Sequence, residues 1–198
     1  MEFLTVVGFA ILGYISGSLP FAVWVTRLRK GTDVRDGGSR HATATNTMRQ
    51  AGWVAGVLVL VLDIAKGFLP VYLARQFGVG FWGLAATAGM VVVGHCWPVF
   101  AGFRGGMGLA AGGGAFLAVN PLGFLIGVAL LILLVLIIHH SARASVATGV
   151  LLPWVLWIFG LRGNVFAVAL AVGGVVALRF LIDWNRQYRE LWLDRPAP

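Results

Sequence analysis

Six long apolar runs, roughly residues 3–26, 53–73, 81–101, 122–138, 145–160 and 165–182, constrain this chain more than any motif in it. Each approaches the ~20 residues that a membrane-spanning helix needs. A bilayer offers no water to satisfy backbone N–H and C=O groups, so segments of this kind become helices. The expected fold is therefore an all-α integral membrane protein, one polytopic domain over residues 1–198. Hydrophobic residues make up 59% of the chain and charged residues only 11%, far from the roughly 25% charged residues of soluble domains. The net charge of +8 sits in short polar segments between apolar runs, the pattern of juxtamembrane loops and not of a nucleic-acid surface. Cys96 is the only cysteine, which excludes an intrachain disulfide framework. The first run opens with Met1 and Glu2, not a basic segment, and is read as a retained helix and not a signal peptide.

A seventh segment, glycine-rich and short, runs from Gly102 to Pro121, with a possible helix from Met107 to Val119. Its length does not decide whether it crosses, but charge does. If it crosses, with the loop from Arg27 to Arg49 cytoplasmic, twelve Lys and Arg lie inside and only Arg75 and Arg162 outside, with Lys66 in the membrane. If it re-enters, the division is eight against six. The positive-inside rule selects the first. The expectation is seven transmembrane helices, one of them short and glycine-rich, with the N-terminus outside and the C-terminal tail cytoplasmic.

Polar chemistry gathers at the cytoplasmic ends. Residues 33–46 hold Arg35, Ser39, Arg40, His41, Thr43, Thr45 and Asn46. Guanidinium groups fork onto phosphate oxygens and small polar groups bind hydroxyls, so the mixture suits a phosphorylated polyol; it equally suits a solvated loop with turn glycines and local caps. Residues 94–108 carry His95, Arg104, Gly105, Gly106 and Gly108 ahead of the short helix. Backbone amides converging there would cradle an anion at a helix N-terminus, or the glycines would let helices pack closely. Asp63 and Lys66, three apart in the second apolar run, must pair, snorkel or line a cavity; a structural and a catalytic pair look alike in sequence. His95 is read either as a structural hydrogen-bonder or as a base.

Four segments in order resemble the PlsY family of acyl-phosphate-dependent glycerol-3-phosphate acyltransferases. They are Gly17-Ser18-Leu19-Pro20-Phe21-Ala22; Asp33-Val34-Arg35 with Gly38-Ser39 and Ala44-Thr45-Asn46; Asp63-Ile64-Ala65-Lys66-Gly67; and residues 94–108, against the family's G-H-x-W-P-V-F-x-x-F-[KR]-G-G-K-G. The resemblance implies a bacterial cytoplasmic-membrane enzyme that needs no metal or cofactor and moves a fatty acyl group from acyl phosphate to glycerol 3-phosphate, giving lysophosphatidic acid. Membrane lipids and other phospholipid-synthesis enzymes would be its partners. By position, Ser39, His95 and Asn46 would be catalytic. Arg35, Gly38, Arg40, Thr45, Arg104, Gly105, Gly106, Gly108 and Asn185 would bind substrate.

The chain also departs from that pattern. Met107 stands at the family's lysine, Arg40 and Thr43 at two loop glycines, and His41 at a loop asparagine. The tail keeps only Asn185 of H-R-x-N, and the R-x-x-S pattern before the next helix is degraded around His139, His140, Ser141, Arg143 and Ser145. Arg40 is the expected replacement for the missing lysine charge. The alternatives are a catalytically impaired paralogue that binds lipid phosphates or a partner, an enzyme with an altered acceptor or donor, and a transporter; no internal repeat supports the last.

Overall fold

The computed structural model describes residues 2–186. Of the expected cytoplasmic tail, residues 187–198, with Arg189 and Arg195, lie outside them. The described residues form an all-helical bundle: α1 Glu2–Gly17, α2 Phe21–Lys30, α3 Ala44–Ala51, α4 Trp53–Gln76, α5 Phe81–Cys96, α6 Leu109–Val119, α7 Pro121–Ile138, α8 Ser141–Ile158 and α9 Asn164–Leu181. Six helical segments are long and apolar enough to cross a membrane: Phe3–Lys30, Trp53–Gln76, Phe81–Ala101, Pro121–Ile138, Ser141–Ile158 and Asn164–Leu181. All six match the runs read from sequence.

The first run is not one helix. It breaks between α1 and α2, where Pro20 lacks an N–H and its ring disfavours helical backbone at Leu19. At the break the Leu19 carbonyl accepts the Phe21 N–H at 3.1 Å in place of a helical partner, and the buried Lys66 ammonium also donates to it at 2.8 Å.

Helix α6 has 11 residues, so it is about 16 Å long, half the ~30 Å hydrocarbon thickness. It begins at Leu109, two residues later than expected, because Gly108 precedes it with φ +88°. It packs chiefly on α4. There a Cβ at Gly67 would collide with the Ala111 carbonyl, and one at Gly114 with the Ile64 carbonyl. Those two glycines are therefore packing residues.

Helix α1 lies on α5, α5 on α9, and α9 on α8. The largest core cluster joins α4, α5, α6, α8 and α9. Helix α7 is peripheral, with only 6% of its span buried. Asn120 starts it: the side-chain carbonyl accepts from the Gly123 N–H at 2.7 Å, with Pro121 at the first helical position.

Candidate active site

A cavity of about 460 Å³ opens among α3, α4, the ends of α5 and α9, and the start of α6. One end is polar, lined by Ser39, His41, Thr43, Thr45, Arg49 and His95. The other is apolar and runs between α4, α6 and α7 past Leu60, Ile64, Leu109, Phe124, Val128 and Leu131. Helix ends supply the polar groups and helix bodies the apolar ones, so the cavity is amphipathic along its length.

The loop ahead of α3 is built on two fixed points. The Asp33 carboxylate accepts the Arg35 backbone N–H at 3.0 Å and grips the Arg35 guanidinium at 2.9 and 2.7 Å. That guanidinium holds the Asp33 carboxyl far below the usual carboxylate range. Arg35 also donates to the carbonyls of Ala101 at 2.7 Å and Arg104 at 3.2 Å, tying this loop to the one ahead of α6. The second point is Asn46, fully buried. Its amide donates to the carbonyls of Val34, Gly37 and His41 at 2.8, 3.1 and 3.0 Å, while its Oδ1 accepts the Ser39 N–H at 3.2 Å. Thr43 caps α3 by accepting the Asn46 N–H. Gly38 has φ +57°, and a Cβ there would strike the Asn46 side chain.

The second loop closes on itself. The Gly105 and Gly106 amides donate to the carbonyls of Cys96 and His95 at 3.2 and 3.0 Å. Both N–H groups are committed inside the loop, and neither glycine lines the cavity. A Cβ at Gly106 would collide with the His95 ring, so this glycine makes room for the imidazole. The Gly105 carbonyl accepts the Ala42 N–H at 3.2 Å, a second bridge between the loops.

Of the residues expected from sequence, Ser39, Thr45, His95 and Gly108 line the cavity. Arg35, Gly38 and Asn46 shape the loop around it. Arg40, Arg104 and Asn185 are exposed and outside its lining. Arg40 adopts a left-handed φ of +59° on the outside of the turn, so it does not stand in for the charge absent at Met107, which does line the cavity.

The cation present instead is Arg49, among the described residues the only Lys or Arg in the lining. Sequence reading passed over it, although its spacing of four from Thr45 puts both on one face of α3. Asp63 also lines the cavity, paired with Lys66 at 2.8 Å and 3.7 Å from His95 Nδ1. Lys66 lies behind it, directed to Leu19, and the Ser16 hydroxyl donates to its backbone carbonyl at 2.8 Å. The Asp63–Lys66 pair is thus a buried link between α4 and the α1–α2 break.

The family model described as glycerol-3-phosphate acyltransferase matches residues 7–190. The glycerol-3-phosphate acyltransferase of Fusobacterium nucleatum is 34% identical over 178 residues, covering 90% of this chain and 92% of that one. That of Rubrobacter xylanophilus is 40% identical over 168 residues, covering 85% and 83%. Among solved structures, the glycerol 3-phosphate form of PlsY, an integral membrane glycerol 3-phosphate acyltransferase, superposes with a TM-score of 0.80 at 34% identity, covering 91% of this chain and 90% of that one. The lysophosphatidic acid form gives a TM-score of 0.75 at 32% identity.

Proposed function

The chain belongs to the glycerol-3-phosphate acyltransferase family, and we propose that it transfers a fatty acyl group from acyl phosphate to glycerol 3-phosphate, releasing inorganic phosphate and lysophosphatidic acid. The observation that carries this reading is the amphipathic cavity. Its polar end suits a phosphorylated polyol and its apolar end an acyl chain.

Acyl phosphate is an activated mixed anhydride, so no enzyme nucleophile is required. The acceptor hydroxyl attacks the acyl carbon, the bond from that carbon to the phosphate oxygen breaks, and the departing phosphate takes the proton. The protein supplies positioning and charge. Arg49 offsets phosphate charge, and the hydroxyls of Ser39 and Thr45 hold the polyol. His95 hydrogen-bonds at the reacting centre, and Gly108 presents its backbone to the donor head group at the start of α6. Arg35, Gly38 and Asn46 act by fixing the loop. The exposed positions Arg40, Arg104 and Asn185 have no place in this arrangement.

The same charge distribution supports seven crossings with α6 as the short one, the N-terminus outside and the polar end of the cavity cytoplasmic, in a bacterial cytoplasmic membrane. The test is transfer of a labelled acyl group from acyl phosphate to glycerol 3-phosphate by the purified protein in lipid. Lysophosphatidic acid formation is expected. Its absence, with glycerol 3-phosphate still bound, would favour an impaired paralogue.

A further inference from the structure

His41 is buried at 8% exposure, lines the polar end of the cavity, and has both ring nitrogens engaged by groups at and beyond the end of α9. Nε2 lies 2.6 Å from Asp183 Oδ2, and Nδ1 lies 3.1 Å from Arg179 Nη2. Nε2 also lies 3.1 Å from Arg186 Nη1, but the shorter contact to Asp183 decides the tautomer, because only one neutral form serves both Asp183 and Arg179. Arg179 has no acceptor to offer, so Nδ1 carries the lone pair and accepts; the carboxylate has no proton to give, so Nε2–H donates. An imidazole so engaged is no proton acceptor for a substrate hydroxyl. It is a joint.

What it joins is specific. Arg179, itself buried, also donates Nε–H to the Gly106 carbonyl at 3.2 Å, so one guanidinium spans both cavity loops. Arg186 donates to the Ser39 carbonyl at 2.6 Å. The Trp184 ring lies 5.5 Å beneath the Arg143 guanidinium of α8, which seats the segment carrying Asp183. The His41 carbonyl is one of the three that Asn46 holds. Ser39 and His41 are therefore fixed from inside by α3 and from outside by residues 179–186.

We propose that His41, held between Arg179 and Asp183, is a positioning residue that sets the shape of residues 37–43 for binding the acceptor, glycerol 3-phosphate. This rests on the function proposed above, and its readouts separate from it. The charged groups facing the ring are Arg179 from α9, and Asp183 and Arg186 from the segment that follows. Burial, with both arginines adding to it, holds the His41 pKa below its ordinary value near 6.5 against the opposing pull of Asp183. Protonation would also set an N–H at Nδ1 against an N–H of Arg179. As pH falls below the ordinary histidine value, proton uptake therefore favours the released loop, and the joint is intact above it.

The test is glycerol 3-phosphate affinity by calorimetry on the lipid-reconstituted protein, alongside KM for each substrate. His41→Ala and Asp183→Ala are each expected to weaken acceptor binding about tenfold, with KM for acyl phosphate within twofold and the double variant no worse than either single one. Asp183→Asn keeps an oxygen for the Nε2–H and should stay within threefold, which carries the test even if His41→Ala does not fold. Acceptor affinity of the native protein should also fall with acid more steeply than the acceptor's own second phosphate ionisation near pH ~6 accounts for, and the excess should vanish in His41→Ala. Unchanged acceptor affinity, equal losses for both substrates, or additive single effects would overturn the proposal. A native protein that binds glycerol 3-phosphate without acyl transfer would sink the enzymatic reading alone, and the affinity comparison would still decide this one.

Discussion

Arg49→Gln removes the one Lys or Arg side chain that the described residues place in the cavity lining. A hydrogen bond to a charged group contributes about 1.5–3 kcal/mol, which is roughly 10 to 150-fold in rate or affinity. Here the upper part of that range applies, because the lining holds methionine at 107 and no second cation among the described residues shares the load. The expected loss is about 100-fold in kcat/KM. Arg49→Lys keeps the charge but not the planar fork and should lose about tenfold. Met107→Lys places an ammonium on the same cavity and should restore about tenfold to Arg49→Gln. The assay is steady-state acyl transfer in lipid, with thermal midpoints to show that each variant folds. An Arg49→Gln enzyme within threefold of the native protein would refute Arg49 as the phosphate cation, as would a Met107→Lys substitution that fails to rescue it.

Three further outcomes follow from the packing. Arg40→Gly relieves a left-handed residue at φ +59°. That stabilises by about 1 kcal/mol, read as a rise of about 2–4 °C in the thermal midpoint with turnover unchanged; a tenfold fall in turnover would reinstate Arg40 as a working cation. Lys66→Met leaves Asp63 buried without its partner and should destabilise by about 3–5 kcal/mol, whereas replacing both by apolar residues should recover much of that in the same denaturation assay. Gly114→Val drives a side chain into the Ile64 carbonyl and should abolish folded protein on size exclusion, while Gly174→Ala, which meets nothing within 4 Å, should not.

Hydropathy reads a helix from the average of its side chains, so every crossing run was visible in sequence within a few residues. It is blind to a single backbone event inside such a run, and the break at residues 18–20 passed unseen although Pro20 was in view. The Leu19 carbonyl turned out of the helix there is what Lys66 binds, so the role of that lysine was hidden with it. The glycines ahead of α6 misled differently. Their composition suggested free amides, yet whether an N–H points at a ligand or at its own loop depends on a hydrogen-bond pairing that composition does not encode. Arg49 lies past the motif's charged loop, on the helical face continuing from Thr45, so the motif does not mark it. His41 and Asp183, 142 positions apart, were each visible as departures from a pattern. Only the fold showed that they are partners.

That pairing bears on how a site keeps working when its motif residues change. Of the departures, His41 and Met107 both line the cavity, and Asp183 of the tail lies against His41. Methionine fills its place as part of the apolar core. The histidine gained in the loop meets the aspartate of the tail, so the contact between those segments is kept by a different bond. What Met107 does not replace is positive charge, and among the described lining residues that burden falls on Arg49 alone. A site with one lining cation, held by loops that depend on a neutral imidazole, should bind its acceptor best where the phosphate is fully ionised and His41 is not protonated. Both conditions point above pH ~6.5. Acceptor affinity should therefore rise and level off as pH passes from 5.5 to 7.5. A profile flat across that interval would show that neither the phosphate charge nor the imidazole joint governs binding.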